Sequence, residues 1–369
     1  MPVRGLLDNL QIGCTLDSPS GDLSAALKRT AGERFDFVAI PLAAPGGQGR
    51  GADMRPSVDS DLALDAGTWR TVVIGAASEG LDPDAAGSPA EAEARCAMLE
   101  TELRWAAHLG LRAVLLPPPV AAGGAVPSGC SYARAVNELL RAGIFPESSG
   151  EEGSVPPGPA LRVPANASGW LAWNRFRTLC GHHQRLCLAL EFTAKASSIS
   201  DREADRWLGE PVRFVMLPVD AFVPNKQGYP VLPKSYKALL MGLFRYQVQV
   251  ILVAPQRAGS EAESSGAADT VDAADGASVA EALGPRLNYV ARLFQSLPAP
   301  TPAERFAHSH LDCLQAPLQP LQDNLESETY ELFETDPVKY SQYEEAVLAF
   351  LRERLAAGGA PPFTAMVLG

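Results

Sequence analysis

The part of the sequence with the strongest chemical character is the stretch DNLESETYELFETDPVKYSQYEEAV (Asp323–Val347). It places four aromatic residues and one lysine among eight acidic residues, and the apolar run FTAMVLG (Phe363–Gly369) follows it. An apolar strand that meets a glycine is typical of the start of a cofactor loop, because glycine permits a tight turn and close backbone approach. We interpret the stretch as a cofactor-covering helix followed by the first strand of a second domain. An amphipathic surface helix whose rings simply cover the core is the alternative.

Other candidate groups follow apolar runs earlier in the chain. Glu191 and Asp220 each stand at the end of such a run, and two carboxylates at a suitable separation can hydrolyse a glycosidic bond. The other run ends, such as IPLA and LLPPP, offer proline and alanine, whereas a metal site needs several converging ligands. His182 and His183 fall in a predicted helix-to-strand turn and are interpreted as solvated surface residues. We therefore predict a scaffold without a metal centre, with the carboxylate pair as a distant alternative.

The elements that must position these groups alternate regularly between strand and helix. Nearly continuous runs of Val, Leu and Ile are typical of parallel strands buried on both faces. The predicted strands are Leu10–Thr15, Phe35–Leu42, Arg70–Ala76, Arg112–Leu116, Leu161–Pro164, Arg185–Glu191, Val212–Leu217 and Val248–Val253. The predicted helices are Ser88–Leu109, Tyr132–Arg141, Gly169–Cys180, Lys234–Tyr246 and Val279–Gln295. This order predicts an α/β fold, a (β/α)8 TIM-type barrel; an open doubly wound sheet is the alternative, but no glycine-rich fingerprint follows these strands.

Local sequence patterns mark the ends of one helix, two inserted loops and the end of the predicted barrel. Ser88 is a predicted N-cap, Pro89 opens the first turn, Glu91 would complete a capping box, and Gly110 ends the helix. Two polar segments, Pro146–Ala160 and Pro255–Ser278, are predicted to be inserted loops. A proline-rich stretch begins at Leu297, so we place the barrel in residues 1–296 and a linker in residues 297–322.

Composition narrows the class of protein. Apolar residues make up 46% of the 369 residues and charged residues 20%, as in soluble globular proteins. The net charge of −12 argues against direct nucleic-acid binding, which needs a basic face. No secretory signal and no apolar run of membrane-spanning length is visible, and the six cysteines form no CxxC motif. We predict a reduced protein of the cytoplasm and nucleus without a membrane segment.

Several segments resemble one enzyme family. They are PLQPLQDNLESETYELFETDPVKYSQYEEAV (Pro317–Val347), WNRFRTLC (Trp173–Cys180), DRWLGEPV (Asp205–Val212) and NKQGYPVLPK (Asn225–Lys234), with FDFVAIP (Phe35–Pro41) as a weaker match. Together they resemble the protein arginine N-methyltransferase 5 family, which makes symmetric dimethylarginine. Its members have an N-terminal (β/α)8 barrel, a Rossmann-like domain that binds S-adenosylmethionine, and a β-barrel. The resemblance implies that residues 323–369 are the N-terminal part of a methyltransferase domain, truncated after its first strand.

The resemblance also assigns roles near the C-terminal end. Tyr330, Lys339 and Tyr340 would contact S-adenosylmethionine, with Lys339 as the partner of its carboxylate. Gly369 would be the first glycine of the cofactor loop. Phe333 matches the phenylalanine whose bulk favours symmetric dimethylation. The two glutamates that hold the substrate guanidinium would lie beyond Gly369, so no catalytic residue is expected in this chain.

The implied partners involve the barrel. In the family the barrel binds a WD-repeat propeller protein, helps to build a homo-oligomer, and offers a groove to substrate-adaptor peptides. The segment NKQGYPVLPK falls on the loop of that groove, so Asn225, Lys226, Gln227 and Tyr229 are the candidates. The family commonly has a second lysine and a phenylalanine where this chain has Gln227 and Tyr229. The alternative is an ordinary polar turn at the end of a strand.

The sequence therefore predicts a protein arginine methyltransferase that transfers methyl groups from S-adenosylmethionine to histones and Arg/Gly-rich proteins. The transfer is a displacement in which guanidinium nitrogen, methyl carbon and sulfonium sulfur must be held in line. This chain would supply the barrel and the cofactor lid. The alternative, from another class, is a non-catalytic module for assembly and adaptor binding.

Overall fold

The computed structural model describes residues 10–16, 23–44, 55–58, 60–120, 129–145, 158–193, 199–254, 274–299, 301–303, 324–359, 361–364 and 366. The chain forms two compact units, residues 1–299 and residues 300–369. Most of the predicted linker, residues 304–322, lies outside the described residues, as does residue 300.

The first unit contains a closed barrel of eight parallel strands. Their order around the barrel is β1-β10-β7-β6-β5-β4-β3-β2. The strands are β1 (Ile12–Thr15), β2 (Phe37–Pro41), β3 (Val73–Ala76), β4 (Ala113–Leu116), β5 (Gly158–Pro164), β6 (Cys187–Glu191), β7 (Val212–Pro218) and β10 (Gln249–Val253). Closure places Ile12 of the first strand opposite Val250 of the last. All eight predicted strands are present, which confirms the TIM-type barrel and excludes the open sheet, but the third is shorter than predicted because Arg70–Val72 belong to the preceding helix.

One α-helix follows each barrel strand, as the fold requires. The helices are α1 (Leu23–Gly32), α2 (Ala66–Val72), α3 (Pro89–His108), α4 (Cys130–Arg141), α5 (Ala167–Leu179), α6 (Asp201–Leu208), α7 (Lys234–Leu243) and α8 (Ala274–Gln295). The five predicted helices are confirmed within a few residues at each end. Between β7 and α7 the chain adds a short antiparallel hairpin, β8 (Val223–Pro224) and β9 (Pro230–Val231).

The inside of the barrel is filled by side chains. Bulky residues from several strands meet there with small ones, and the set includes Phe37, Ile74, Leu115, Phe214, Met216, Ala39, Ala113, Ala160 and Ala189. A Cβ added at Gly13 would lie 2.4 Å from Cε2 of Phe37, so glycine at that position makes room for the ring. The described part of the barrel interior is therefore a packed core.

The structure corrects the ends of both predicted insertions. Gly158 already belongs to β5 and pairs with Ala113, so the first insertion cannot extend to Ala160. A Cβ at Gly158 would lie 2.3 Å from the carbonyl oxygen of Arg185, so this glycine serves close strand packing. The second insertion ends before Ala274, because helix α8 begins there. The remaining residues of the two predicted insertions, 146–157 and 255–273, lie outside the described residues.

The predicted start of α3 is confirmed with one correction. The Ser88 side chain accepts a hydrogen bond from the Glu91 amide at 3.2 Å, which makes Ser88 the N-cap. The Glu91 carboxylate, however, accepts from the amide of Gly87 at 2.8 Å, one residue earlier than a capping box requires. The Gly110 backbone is left-handed, with φ of 74°, and ends the helix.

The described part of the second unit includes the helices α9 (Ser327–Glu334) and α10 (Pro337–Ala356). Asp336 caps α10 by accepting from the amides of Val338 and Lys339 at 3.0 and 3.3 Å. In the predicted strand FTAMVLG, the described residues Phe363, Thr364 and Met366 carry no strand, and the others, including Gly369, lie outside the described part. Across the described portions of both units, no helix combines the length and the apolar character needed to cross a membrane.

Candidate functional site

Helix α9 carries two of the predicted site residues on one face. Tyr330 and Phe333 are three positions apart, which places neighbouring side chains on the same side of a helix. Their rings meet edge to face, with centroids 6.1 Å apart and an interplanar angle of 86°. Tyr330 is 48% exposed and Phe333 is 36% exposed. The structure therefore brings these two rings together at the surface of the second unit.

The other two predicted residues lie in the first turn of α10. The Asp336 cap and Pro337 fix the start of this helix, so Lys339 and Tyr340 occupy defined positions. The Lys339 Nζ atom lies 5.4 Å from the centroid of the Tyr340 ring, within the range of a cation–π contact. In the part of the chain that the structure describes, Lys339 forms no salt bridge with a carboxylate. Its ammonium group is available to an anionic ligand.

The aromatic side chains of α9 and α10 are exposed in this unit. No residue of α10 is buried, and Tyr343 and Phe350 are exposed by 63% and 59%. Large exposed apolar surfaces of this kind mark binding interfaces.

The β8–β9 hairpin presents the candidate groove residues. The Asn225 side-chain oxygen accepts hydrogen bonds from the amides of Gln227 and Tyr229, both at 2.9 Å. Gly228 takes the left-handed conformation that closes the turn, with φ of 80°. Asn225, Lys226, Gln227 and Tyr229 are all exposed. Asn225 thus holds the turn, and the other three side chains are presented to solvent.

At the C-terminal end of the barrel strands, Glu191 is engaged in an ion pair. The Arg162 guanidinium, from β5, lies 3.5 Å from the Glu191 Oε2 atom and also pairs with Glu79. Burial lowers the pKa of Arg162, but the two carboxylates outweigh it and raise this pKa above its usual value. Asp220 is exposed in a short turn after β7, and no hydrogen bond or ion pair joins it to Glu191. Glu191 therefore has a structural partner in Arg162, and Asp220 does not form a carboxylate pair with it.

The remaining titratable side chains, which include His182 and His183, form no metal site among the described residues. Within the described ranges, no group of three or more His, Cys, Asp or Glu side chains is placed to hold a metal ion. His182 and His183 lie in the α5–β6 turn, where the sequence places them. His182 is exposed and His183 is partly buried.

Sequence reasoning missed a buried polar cluster centred on Glu210, which we call the Glu210 cluster. The Glu210 carboxylate accepts from the indole N–H groups of Trp170 and Trp173 at 3.0 and 2.8 Å, and from the Arg177 guanidinium. The Glu210 side chain is only 5% exposed. Three of these four residues lie in the segments WNRFRTLC and DRWLGEPV. Those three residues therefore form a structural contact between α5 and the α6–β7 turn.

Comparisons with known proteins agree with this architecture. The family model described as PRMT5 TIM barrel domain matches residues 34–296, and the model described as PRMT5 arginine-N-methyltransferase matches residues 301–369. Among solved structures, a D-psicose 3-epimerase from Clostridium cellulolyticum H10 superposes with a TM-score of 0.51 at 12% identity, over 77% of this chain and 99% of that one. That likeness shows the barrel fold alone.

Curated relatives extend over nearly the whole chain. Protein arginine N-methyltransferase 5 of Oryza sativa subsp. japonica is 35% identical over 353 residues, 92% of this chain and 53% of the relative. The Xenopus laevis protein of the same name is 32% identical over 355 residues, 90% of this chain and 52% of the relative. The chain thus spans about half the length of the curated relatives it matches. Since the barrel model alone matches well over half of its residues, the chain belongs to the protein arginine N-methyltransferase 5 family.

Proposed function

We propose that this chain is the barrel and cofactor-covering part of a protein arginine methyltransferase. The enzyme uses S-adenosylmethionine and forms symmetric dimethylarginine in histones and Arg/Gly-rich proteins. The observation that carries the proposal is the exposed set of Tyr330, Phe333, Lys339 and Tyr340. These side chains lie in the segment that matches the PRMT5 arginine-N-methyltransferase model.

The chemistry of this set fits the cofactor. Lys339 has no carboxylate partner in the described part of the chain, so its ammonium can pair with the carboxylate of S-adenosylmethionine. The exposed rings of Tyr330 and Tyr340 offer flat apolar surface and phenol groups beside it. When bound, S-adenosylmethionine supplies the methyl group. These residues then bind the cofactor and exclude water from it.

Phe333 would determine which product forms. Its ring contacts the Tyr330 ring edge to face, with an interplanar angle of 86°. Beside a substrate guanidinium, such bulk restricts how a singly methylated arginine can turn toward the methyl donor. This restriction favours the second methylation on the other terminal nitrogen.

Residues 1–369 provide one wall of the proposed pocket. We place Gly369 at the start of the cofactor loop, and we place the pair of glutamates that hold the guanidinium outside this chain. On this proposal the chain by itself transfers no methyl groups. A chimera in which it replaces the matching part of the rice relative should methylate an Arg/Gly-rich peptide from labelled S-adenosylmethionine. A folded chimera without transfer would argue against the function.

The β8–β9 hairpin favours a second role as an assembly and adaptor-binding module. The turn held by Asn225 presents Lys226 and Tyr229, which suit an acidic, aromatic peptide through charge and ring stacking. We propose that the barrel also binds a WD-repeat propeller protein and takes part in a homo-oligomer, in the cytoplasm and the nucleus. Capture of a WD-repeat protein by the chain alone, without methyl transfer, would support this role separately.

A further inference from the structure

Helices α9 and α10 are joined by only two residues, Thr335 and Asp336. The Thr335 hydroxyl donates to the carbonyl oxygen of Leu332 at 2.6 Å, and the Thr335 amide donates to the same oxygen at 3.1 Å. These bonds satisfy a carbonyl in the last turn of α9, where the helix itself supplies no donor. The side chain of Asp336 serves the start of the other helix.

The first turn of α10 depends on the Asp336 carboxylate. A helix leaves the amides of its first turn without acceptors of its own. Pro337 has no amide hydrogen, and the amides of Val338 and Lys339 both donate to the Asp336 Oδ1 atom, at 3.0 and 3.3 Å. No residue of α10 is buried, so burial of side chains does not fix this turn. The cap therefore holds the backbone of Lys339 in its helical conformation.

Asp336 does not hold Lys339 through an ion pair. Both residues are described in the structure, and no salt bridge joins their side chains. A negative charge in this turn weakly repels an anionic ligand of Lys339. The amide oxygen of an asparagine could accept the same two hydrogen bonds without that charge. The cap and the charge of Asp336 therefore have opposite effects on an anion, and substitution can separate them.

We propose that Asp336 is a positioning residue for the cofactor and acts through Lys339. The inference rests on the proposed function, in which the Lys339 ammonium pairs with the carboxylate of S-adenosylmethionine. The cofactor can use this ammonium only while the first turn of α10 is formed. Without the cap the turn is formed for a smaller fraction of the time, and the apparent affinity falls by the same factor. The ring contact of Phe333 with Tyr330 lies within α9 and does not involve this cap.

The test is steady-state kinetics of variants of the rice chimera with S-adenosylmethionine and an Arg/Gly-rich peptide. Asp336→Ala removes the cap, Asp336→Asn keeps an acceptor without the charge, and Lys339→Ala removes the proposed cofactor partner. A double variant with both alanine substitutions tests whether the two residues act together. Asp65→Ala is the matched control, because Asp65 caps α2 by accepting from the Thr68 amide at 3.0 Å. Circular dichroism checks that each variant folds.

We expect Asp336→Ala to raise the KM for S-adenosylmethionine about fivefold, the loss typical of one helix cap, with kcat and the product isomer unchanged. Asp336→Asn and Asp65→Ala should stay within about twofold of the parent chimera. In the Lys339→Ala background, Asp336→Ala should add less than about twofold, because the side chain that the cap positions is absent. In the 369-residue chain, the amides of Val338 and Lys339 should exchange hydrogen faster in Asp336→Ala than in Asp336→Asn.

Equal increases in KM for Asp336→Ala and Asp336→Asn would overturn the proposal, because loss of charge would then explain both. An undiminished effect of Asp336→Ala in the Lys339→Ala background would overturn it too, as would an equal increase in KM for Asp65→Ala or equal amide exchange in the two Asp336 variants. A parent chimera that does not bind S-adenosylmethionine would overturn the proposed function and this inference with it. A parent chimera with a measurable KM that Asp336→Ala leaves unchanged would overturn this inference alone.

Discussion

Trp173 and Glu210 form a hydrogen bond that ties helix α5 to the α6–β7 turn. The indole Nε1 donates to the Glu210 Oε2 atom at 2.8 Å, across 37 positions of the sequence. Trp173 is 1% exposed, so the pair lies inside the barrel unit. The same carboxylate accepts from Trp170 and Arg177. Two of the segments that resemble the family thus meet at a structural carboxylate.

Removing that carboxylate should strongly destabilise the barrel. Glu210→Ala leaves two indole N–H groups and the partly buried Arg177 guanidinium without their acceptor. Breaking a buried charged pair in this way costs about 3–5 kcal/mol. Urea unfolding followed by tryptophan fluorescence measures the loss in free energy of unfolding.

Glu100→Gln is the matched control for this change. It removes an exposed ion pair with Arg104 on α3, with both side chains at least half exposed, and pairs of this kind contribute about 0.3–0.5 kcal/mol. Equal losses for Glu210→Ala and Glu100→Gln would show that the Glu210 cluster contributes nothing beyond a surface contact.

The buried carboxyl of Glu102 should make stability depend on pH. Its Oε2 atom accepts from the Ser78 amide at 2.8 Å, while Oε1 has no hydrogen-bond partner among the described residues. Burial raises the pKa of Glu102 above its usual 4.5, although the hydrogen bonds with Ser78 oppose this. The folded chain therefore retains this proton at pH values where the unfolded chain has lost it. The stabilisation is complete below 4.5 and is lost as the pH rises through the raised pKa.

Glu102→Gln should remove this dependence. The free energy of unfolding of the variant, relative to that of the parent chain, should rise as the pH increases from 4.5 through the raised pKa of Glu102. Glu100→Gln, on the same helix but exposed, should show no such trend. Parallel curves for Glu102→Gln and the parent chain would mean that this carboxyl titrates alike in both states.

Two substitutions in the β8–β9 turn should distinguish the contribution of the turn's conformation from that of its positive charge. Asn225→Ala deprives the amides of Gln227 and Tyr229 of their acceptor, so both should exchange hydrogen about fivefold faster, as expected for a loss of about 1 kcal/mol. Lys226→Ala keeps the turn but removes the charge. It should weaken binding of an acidic, aromatic peptide and reduce the salt dependence of that binding. Unchanged peptide affinity in both variants would contradict a groove at this hairpin.

Phe333→Met in the rice chimera should reduce the selectivity for symmetric dimethylarginine. Methionine keeps apolar volume but is narrower and flexible, and such swaps usually cost less than about 1.5 kcal/mol of stability. We expect some asymmetric dimethylarginine beside the symmetric form, measured by mass spectrometry. Lys339→Ala is the contrasting variant: it should weaken binding of S-adenosylmethionine and leave the product isomer unchanged. Only symmetric product at the normal rate from Phe333→Met would assign Phe333 a packing role.

The barrel was predictable because its strands are continuous apolar runs. Val38, Val114 and Leu188 lie in such runs and are fully buried, so hydrophobicity alone located the strands. The strand ends were less certain. The sequence predicts Gly158 to be part of an inserted loop. In the structure its lack of a side chain permits close packing against Arg185.

The polar contacts were not predictable from spacing. Glu210 meets Trp170, Trp173 and Arg177 across 33 to 40 positions, and no local periodicity reports such a contact. A local signal was present at Ser200, where the sequence SDRE forms a complete capping box with Glu203. The aromatic set of α9 and α10 was recognised by resemblance, since its rings are exposed and follow no core pattern in this unit.

The central claim is that this chain is part of an enzyme that makes symmetric dimethylarginine. The most direct test is to incubate the rice chimera, and separately the chain alone, with labelled S-adenosylmethionine and an Arg/Gly-rich peptide, and to identify the methylated arginines by mass spectrometry. The account predicts symmetric dimethylarginine from the chimera and background signal from the chain alone. Asymmetric dimethylarginine as the main product of the chimera, or turnover by the pure chain, would contradict it.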